Sequence, residues 1–371
     1  MLARAVDTLL IAGLLIVLAL PLLGRVLSLD AGSTLDEQRT LAAIPALPRT
    51  LADIGSFEKS FDAYWNDNFG FRSTLVRSYN RAMLWLGVAP TPRVLLGKEG
   101  WLFIGGGWAV DSYRATKSFT PGELAQWQRT LEQRRDWLAQ QGVHYLFFVA
   151  PEKPTIYPEY MPDALSRVGS ITRLDQLLDH LRRHSKVDVL DLRPALRAAK
   201  AQQRIYSLTD SHWNQVGALI ASREVLSRLA IWFPNLRPLE VSEFEQSVVD
   251  MPGRDLAMIL SLEDTLREQF LAVHPPHPRL AQKVDGPDPG QEGKCYETEV
   301  PDSTLPRALV FHDSFSEALK PFLSEDFAQI TYCWQDYFDP AVVRRVHPDV
   351  VLEEMAERFL MKPVRKEFTE Q

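Results

Sequence analysis

Apolar and polar residues follow one another along this chain in a pattern of alternating strands and helices. Short, mostly apolar runs, typical of strands covered on both faces, lie at residues 145–150, 187–192, 308–311, 330–334 and 350–353. Stretches with apolar residues at helical spacing lie at residues 120–142, 170–184 and 215–232. Strands that alternate with helices of this length pair in parallel through right-handed crossovers. The pattern predicts an α/β fold over residues 91–371, a three-layer α/β/α sandwich with a mainly parallel sheet.

The N-terminus has a different pattern. Residues 9–23 are apolar apart from one glycine and one proline, and an arginine lies on either side. Extended to residue 29, this segment approaches the roughly 20 residues that a bilayer requires. A cleaved signal peptide, with an apolar core of about 7–15 residues, is the alternative. Because no clear small-x-small cleavage site follows, we expect residues 1–29 to be a transmembrane anchor or signal segment, and the rest of the chain to be exported.

Three further segments have patterns of their own. Residues 30–90 are expected to form a stalk and a helical lead-in, since aromatic and aliphatic residues recur at helical spacing in the second half of this stretch. Residues 94–104 resemble a small β-hairpin. Residues 234–305 are less regular and proline-rich, which indicates an excursion over the surface.

Composition and charge narrow the class of protein. The chain has 371 residues, of which 46% are hydrophobic and 24% charged, as in ordinary globular proteins. Its net charge of −7 argues against a general nucleic-acid binder, because no basic face dominates. The charge does not count against a neutral glycan partner.

The chain has two cysteines, Cys295 and Cys333. Paired, they would close a loop of about 38 residues, worth about 3–4 kcal/mol in the chain-entropy treatment. The alternative is two independent buried thiols. A disulfide would fit an oxidising compartment.

One stretch carries the residues of a general base. In Thr209-Asp210-Ser211-His212-Trp213 an aspartate and a histidine are two positions apart. On an extended segment their side chains point the same way. The Asp210 carboxylate can then accept the Nδ1–H of His212 and leave Nε2 free as a base. Asp210 as a turn-capping carboxylate is the alternative.

A candidate nucleophile follows about a hundred residues later. Ser314 comes directly after an apolar strand and before a predicted helix at residues 315–323. A serine in a strand–turn–helix is well placed for nucleophilic attack, and the N–H groups of the helix would stabilise an oxyanion. A helix-capping role for Ser314 is the alternative. His312 is a second, weaker candidate for the base.

Other polar and aromatic residues are candidates for binding. The N–H of Gly253 could donate to an oxyanion and Arg254 could contact substrate, although a turn before a helix explains both. Trp213, with Tyr332 and Trp334, would suit stacking on a sugar, and core packing is the alternative. His274 and His277 are separated by prolines and lack a third ligand nearby, so no metal site is expected, and no cofactor.

Several sequence blocks together resemble the AlgX/AlgJ-type alginate O-acetyltransferases, a branch of the SGNH-hydrolase-like proteins. The blocks are Phe-Gly-Phe-Arg at 69–72, Leu-Gly-Lys-Glu-Gly-Trp-Leu-Phe at 96–103, Ala-Pro-Glu-Lys at 150–153, Ile-Tyr-Pro-Glu at 156–159, Thr-Asp-Ser-His-Trp at 209–213 and Asp-Ser-Phe at 313–315. The resemblance implies Ser314 as the acetyl-accepting nucleophile, His212 as the base and Asp210 as its orienter. It also implies the permuted order in which the serine block comes last, whereas His312 replaces a glycine that many SGNH proteins carry.

The resemblance further implies partners and a location. A multi-pass membrane acyltransferase would supply acetyl groups across the inner membrane, and a polysaccharide would accept them. We therefore expect an O-acetyltransferase of an exopolysaccharide, held by a single-pass anchor with its catalytic domain in the periplasm. Two alternatives remain open: a carbohydrate acetyl esterase with the same Ser–His–Asp site, and a non-catalytic scaffold that binds polysaccharide or assembly partners.

Overall fold

The structure is a computed structural model that describes residues 2–26, 40–284 and 295–365. The chain divides into two compact units. The smaller consists of Met1–Pro92 with Gly253–Leu266, and the larger of Arg93–Pro252 with Arg267–Gln371. The predicted boundary at residue 91 therefore lies next to a structural one, but the sequence pattern does not indicate that Gly253–Leu266 belongs with the N-terminal part. Residues 27–39 of the predicted anchor and stalk lie outside the described part.

The elements are numbered in chain order. The helices are α1 (Leu2–Val26), α2 (Ile54–Asn68), α3 (Arg72–Trp85), α4 (Gly107–Arg114), α5 (Pro121–Ala139), α6 (Lys153–Ile156), α7 (Arg173–His184), α8 (Arg193–Lys200), α9 (Gln215–Leu229), α10 (Asp255–Ile259), α11 (Lys320–Leu323) and α12 (Pro340–Val346). The strands are β1 (Val94–Leu96), β2 (Leu102–Ile104), β3 (His144–Ala150), β4 (Val189–Asp191), β5 (Glu245–Met251), β6 (Glu268–His274), β7 (Gln282–Val284), β8 (Cys295–Glu299), β9 (Arg307–His312), β10 (Gln329–Trp334) and β11 (Val350–Ala356).

The smaller unit is helical. Its α3 is joined to the segment Gly253–Leu266 by Arg77, which pairs with Glu263 and Asp264 at 2.7 Å each, and by Asn80, which donates to the Leu260 carbonyl. The membrane anchor predicted at residues 1–29 is not confirmed. Within the described ranges, no helix is both long enough and apolar enough to cross a bilayer.

The larger unit is built on a seven-stranded sheet in the order β4-β3-β11-β9-β10-β8-β7. The five strands from β4 to β10 pair in parallel, and β8 and β7 join them antiparallel. Each of the five apolar runs overlaps one of these parallel strands, although β4 covers just the middle of the run at residues 187–192. The prediction of an α/β fold with a mainly parallel sheet is confirmed.

Helices cover both faces of this sheet because its central strands are apolar on both sides. In β3 the residues Leu146, Phe148 and Ala150 pack with α8 and α9 in one core. The alternate residues Tyr145, Phe147 and Val149 pack with α5, α7 and α12 in the other. This two-sided burial is the reason that the strands carry hydrophobic runs rather than an alternating pattern.

Two details of the predicted elements are wrong. Residues 234–305 were expected to be irregular but contain four strands, β5 to β8, of which β5 and β7 are largely exposed, as a surface excursion would be. The helix expected at residues 315–323 is instead a 3-10 turn, Ser314–Ala318, followed by the one-turn α11. Pro321 explains the break, because its ring would clash with the carbonyl four residues earlier in a continuous helix. Pro287 and Pro289 of the predicted excursion lie outside the described residues.

Candidate active site

A short looped segment ahead of α9 carries Asp210 and His212. Tyr206 and Trp213 form an isolated antiparallel bridge, and the residues between them bend back. The Oδ1 atom of Asp210 accepts from the backbone N–H of His212 at 3.0 Å and lies 2.7 Å from its Nδ1. The two side chains therefore meet through an aspartate turn. The extended segment that the sequence analysis assumed is absent at this place in the described chain.

Ser314 lies just beyond the carboxyl end of β9. The preceding residue, Asp313, caps the 3-10 turn, because its Oδ1 accepts the N–H of Phe315 at 3.0 Å. That N–H is consequently engaged, which removes one of the oxyanion donors expected from a helix at this position. Ser314 is half-buried, so its hydroxyl can still be reached from solvent.

The three predicted side chains meet at this edge of the sheet. Nε2 of His212 lies 2.8 Å from Oγ of Ser314, and Nδ1 of the same ring lies 2.7 Å from Oδ1 of Asp210. Asp210 is buried. The arrangement has the geometry in which a carboxylate orients an imidazole that removes a proton from a serine. Nucleophilic attack by a serine requires this geometry.

A buried carboxyl group on β11 holds the 3-10 turn Ser314–Ala318, together with the preceding Asp313, against that strand. Oε2 of Glu354 accepts from the N–H of Asp313 at 3.1 Å and from Oγ of Ser316 at 3.0 Å. The second oxygen of Asp313 accepts from the N–H of Ala356 at 2.6 Å. Burial, reinforced by the neighbouring Asp313, raises the pKa of Glu354 well above its ordinary value. Glu354 therefore anchors the turn that carries Ser314 through its two hydrogen bonds.

Lys153 holds the loop that carries Asp210 and His212 in place. Its side chain is 1% exposed, and Nζ donates to the carbonyls of Leu102 at 2.7 Å, of Leu208 at 2.9 Å and of Asp210 at 2.9 Å. The ammonium group also lies 4.9 Å from the centre of the Trp101 ring. One buried cation thus joins the β1–β2 hairpin to the loop that carries Asp210. Lys153 lies just after the buried strand β3, and no role was predicted for it because its partners are distant in sequence.

The remaining predicted binding residues have different surroundings. Trp213 is 3% exposed, and its Nε1 donates to the carbonyl of Phe315 at 3.1 Å. It therefore braces the turn that carries Ser314, and because the indole is buried, a contact of Trp213 with substrate stays a prediction. Gly253 and Arg254 belong to the smaller unit. The N–H of Gly253 donates to the Glu263 carbonyl at 2.7 Å and is not available to an oxyanion, while a substrate contact by Arg254 stays a prediction.

Cys295 and Cys333 form a disulfide. The two residues are register partners on the antiparallel strands β8 and β10. The bridge therefore fastens the antiparallel edge of the sheet to the parallel strand next to β9. The bridge lies in the larger unit. Trp334, which follows Cys333 at the end of β10, lies at the same edge of the sheet as Ser314.

A mainly parallel α/β sheet, with a histidine near the strand ends that contacts a serine through one ring nitrogen and an aspartate through the other, is an arrangement found in serine hydrolases and acyltransferases. Sequence comparison makes the class specific. The sequence model of the SGNH hydrolase-like domain of acetyltransferase AlgX matches residues 94–357. The chain belongs to this family, which confirms the resemblance inferred from the sequence blocks.

Individual relatives are distant. The probable alginate O-acetylase AlgJ of Pseudomonas putida is 26% identical over 295 residues, which cover 72% of this chain and 70% of the relative. The corresponding protein of Pseudomonas aeruginosa is 22% identical over 343 residues, with 82% and 80% covered.

Two solved structures share the fold at lower sequence identity. Bacillus cereus PatB1 superposes with a TM-score of 0.54 at 14% identity, over 72% of this chain and 96% of that chain. A DHHW family protein from Eubacterium siraeum superposes with a TM-score of 0.51 at 18% identity, over 72% and 95%. At these identities the likeness concerns the fold alone.

Proposed function

We propose that this protein is an O-acetyltransferase that moves an acetyl group through a serine ester to hydroxyl groups of an exopolysaccharide. The observation that carries the proposal is the contact of 2.8 Å between His212 Nε2 and Ser314 Oγ, with Asp210 on the other ring nitrogen. Membership of an acetyltransferase family supports acetyl as the group transferred. The names of the relatives support a polysaccharide such as alginate as the acceptor.

The proposed reaction has two steps with the same base. In the first, His212 Nε2 takes the Ser314 proton as Oγ attacks the carbonyl carbon of an acetyl ester or thioester donor, and the departing group leaves with that proton. In the second, a sugar hydroxyl attacks the acetyl carbon and gives its proton to His212. The bond from Ser314 Oγ to the acetyl group breaks, and Oγ takes the proton back. Asp210 holds the Nδ1–H tautomer in both steps.

The cellular setting is part of the same proposal. A disulfide between Cys295 and Cys333 supports an oxidising compartment, because such bonds are rare in the cytosol. We propose that the catalytic domain lies in the periplasm, at the inner membrane. A multi-pass membrane acyltransferase is the proposed supplier of acetyl groups.

The test compares the wild-type protein with Ser314→Ala, using p-nitrophenyl acetate as donor and an unacetylated alginate oligosaccharide as acceptor. The proposal expects acetylated oligosaccharide from the wild type and none from the variant. Transfer retained by Ser314→Ala would refute the nucleophile. Free acetate as the sole product would favour the esterase, and an unreactive Ser314 would favour the non-catalytic scaffold.

A further inference from the structure

Two side chains end neighbouring parallel strands beside Ser314. His312 is the last residue of β9, Trp334 is the last residue of β10, and the two are register partners. Register partners in adjacent strands point to the same face of a sheet. Their ring centres are 5.8 Å apart. The carboxyl ends of parallel strands are also where α/β sheets bind their ligands.

His312 has an acceptor atom without a partner. The residue is 1% exposed, and its Nδ1 lies 2.7 Å from the carbonyl oxygen of Asp313. A carbonyl only accepts, so Nδ1 carries a hydrogen. Burial lowers the pKa of His312, which favours the neutral ring and leaves Nε2 as an acceptor. Among the residues that the structure describes, this buried Nε2 has no hydrogen-bond partner.

A buried acceptor left unpaired is costly, and native structures seldom keep one without a reason. Three groups in this region could compete for the role of donor to Nε2. The Ser314 hydroxyl is engaged with His212 at 2.8 Å. The Trp334 ring is tilted against the His312 ring and the Tyr332 ring meets it edge-on. A hydroxyl brought by a ligand would satisfy the Nε2 atom.

A pocket of about 400 Å³ opens at this position. Its lining includes His312, Ser314, Trp334, Tyr337, Phe359 and Lys362. The volume falls in the range of small-molecule sites, roughly 300–1,000 Å³. Trp334 is 49% exposed, whereas Trp213 and Tyr332 are buried. Of the three aromatic residues suggested for sugar stacking from the sequence, the structure thus leaves Trp334 available to a ligand.

We propose that this pocket is the acceptor site, with a sugar ring stacked on Trp334 and one of its hydroxyls donating to His312 Nε2. A sugar offers an apolar face of C–H groups and a rim of hydroxyl donors, which matches an exposed indole next to a buried acceptor. A second hydroxyl of the same sugar attacks the acetyl ester on Ser314. The inference rests on the proposed function, because it concerns the second step of that reaction.

The experiment separates the two steps in the full chain. Acylation is followed as p-nitrophenol released from p-nitrophenyl acetate without acceptor, and transfer as acetylated alginate oligosaccharide. Trp334→Ala is expected to raise the acceptor KM at least tenfold, equivalent to about 1.4 kcal/mol, an effect larger than any change in its rate of acylation. His312→Phe, which fills the same space without an acceptor atom, is expected to lower kcat/KM for the acceptor about tenfold.

Matched controls guard against loss of structure. Trp85→Ala removes an 85% exposed tryptophan of the smaller unit, and His184→Gln removes an imidazole at the end of α7. Both are expected to behave as the wild type. The rate at which phenylmethylsulfonyl fluoride inactivates each variant reports whether Ser314 and His212 are still assembled.

The possible outcomes separate the acceptor site from the function itself. Unchanged acceptor kinetics in Trp334→Ala and His312→Phe, with normal acylation, would overturn the acceptor site and leave the nucleophile intact. Normal acylation of the wild type with no transfer to the oligosaccharide would also overturn it, in favour of water as acceptor. Acylation that persists in Ser314→Ala would instead refute the proposed function.

Discussion

Replacing Lys153 by methionine tests how the base is held in place. Methionine keeps much of the length and volume of the side chain and removes the ammonium group. The change deletes three hydrogen bonds from Nζ, of 2.7, 2.9 and 2.9 Å, and leaves the carbonyls of Leu102, Leu208 and Asp210 without that donor. It also removes the cation from beside the Trp101 ring.

The expected loss of stability follows from these contacts. The Leu208 carbonyl keeps the N–H of Leu102 at 2.9 Å, so the carbonyls of Leu102 and Asp210 are the two that lose a donor without that replacement. A buried acceptor left unsatisfied costs about 1–3 kcal/mol, which gives about 2–6 kcal/mol for two. The removed charge no longer has to be desolvated, which returns several kcal/mol. We therefore expect the free energy of unfolding to fall by about 1–3 kcal/mol.

Activity should fall as well, because Asp210 loses one of the bonds that fix its backbone. A misplacement of about 1 Å can cost about 100-fold in rate. We expect kcat for p-nitrophenyl acetate to fall about 10- to 100-fold under conditions in which the variant is still folded. A change in KM alone is not expected, because Lys153 is buried and contacts the backbone of the loop that carries Asp210 and His212.

Equilibrium unfolding in urea and steady-state kinetics measure the two effects. Lys200→Met is the matched control, because Lys200 also donates to one carbonyl, that of Ile156 at 2.7 Å, and lies over an aromatic ring. Its side chain is 25% exposed and its ion pair with Glu159 is near the surface, so we expect a loss of at most about 1 kcal/mol. A Lys153→Met protein as stable and active as Lys200→Met would refute the reasoning.

Three further predictions concern the site and the stability of the larger unit. Asp210→Asn should lower kcat about 10³- to 10⁴-fold, because an amide no longer selects the correct His212 tautomer, and a loss below tenfold in the p-nitrophenyl acetate assay would contradict this. Cys333→Ser should lower the free energy of unfolding by about 4 kcal/mol, since the bridge to Cys295 closes a loop of 38 residues, and reduction of the wild type should reproduce the loss in a urea titration. Burial raises the pKa of Asp326 to about 7 from 3.8, so the native state holds a proton that the unfolded state has released and stability falls as pH rises between about 4 and 7. Asp326→Asn should therefore be about 2–4 kcal/mol more stable than the wild type at pH 8 and no more stable at pH 3.5, whereas an equal gain at both pH values would exclude this cause.

The fold was predictable because its central strands are buried on both faces. Runs such as Tyr145–Ala150 and Ala308–Phe311 are apolar at every position, and the helices between them have clear periodicity. The strands β5 and β7 were not predicted, for the opposite reason. They are largely exposed, so burial imposes no hydrophobic run on them.

The candidate site was predictable in its members and not in its local geometry. Asp210, His212 and Ser314 were singled out by residue type and spacing. The aspartate turn that joins the first two depends on one backbone hydrogen bond, His212 N to Asp210 Oδ1, which no periodicity encodes. A helix after Ser314 was expected from apolar content, and Pro321 limits it to short turns.

The supporting residues could not be found from the sequence because their roles depend on contacts between distant segments. Lys153 binds a carbonyl 51 residues before it and another 57 residues after it. The pairing of His312 with Trp334 follows from the register of β9 against β10, which only the folded sheet sets. Both are consequences of the topology.

The most direct test of the account is to trap the acetyl group on the enzyme. The full chain is mixed with p-nitrophenyl acetate, quenched in acid, digested and analysed by mass spectrometry. The account predicts a single acetyl group on the peptide that contains Ser314, absent in Ser314→Ala and strongly reduced in His212→Ala. Release of p-nitrophenol by the wild type with no acetyl group on that peptide, or equal labelling of Ser314→Ala elsewhere in the chain, would contradict it.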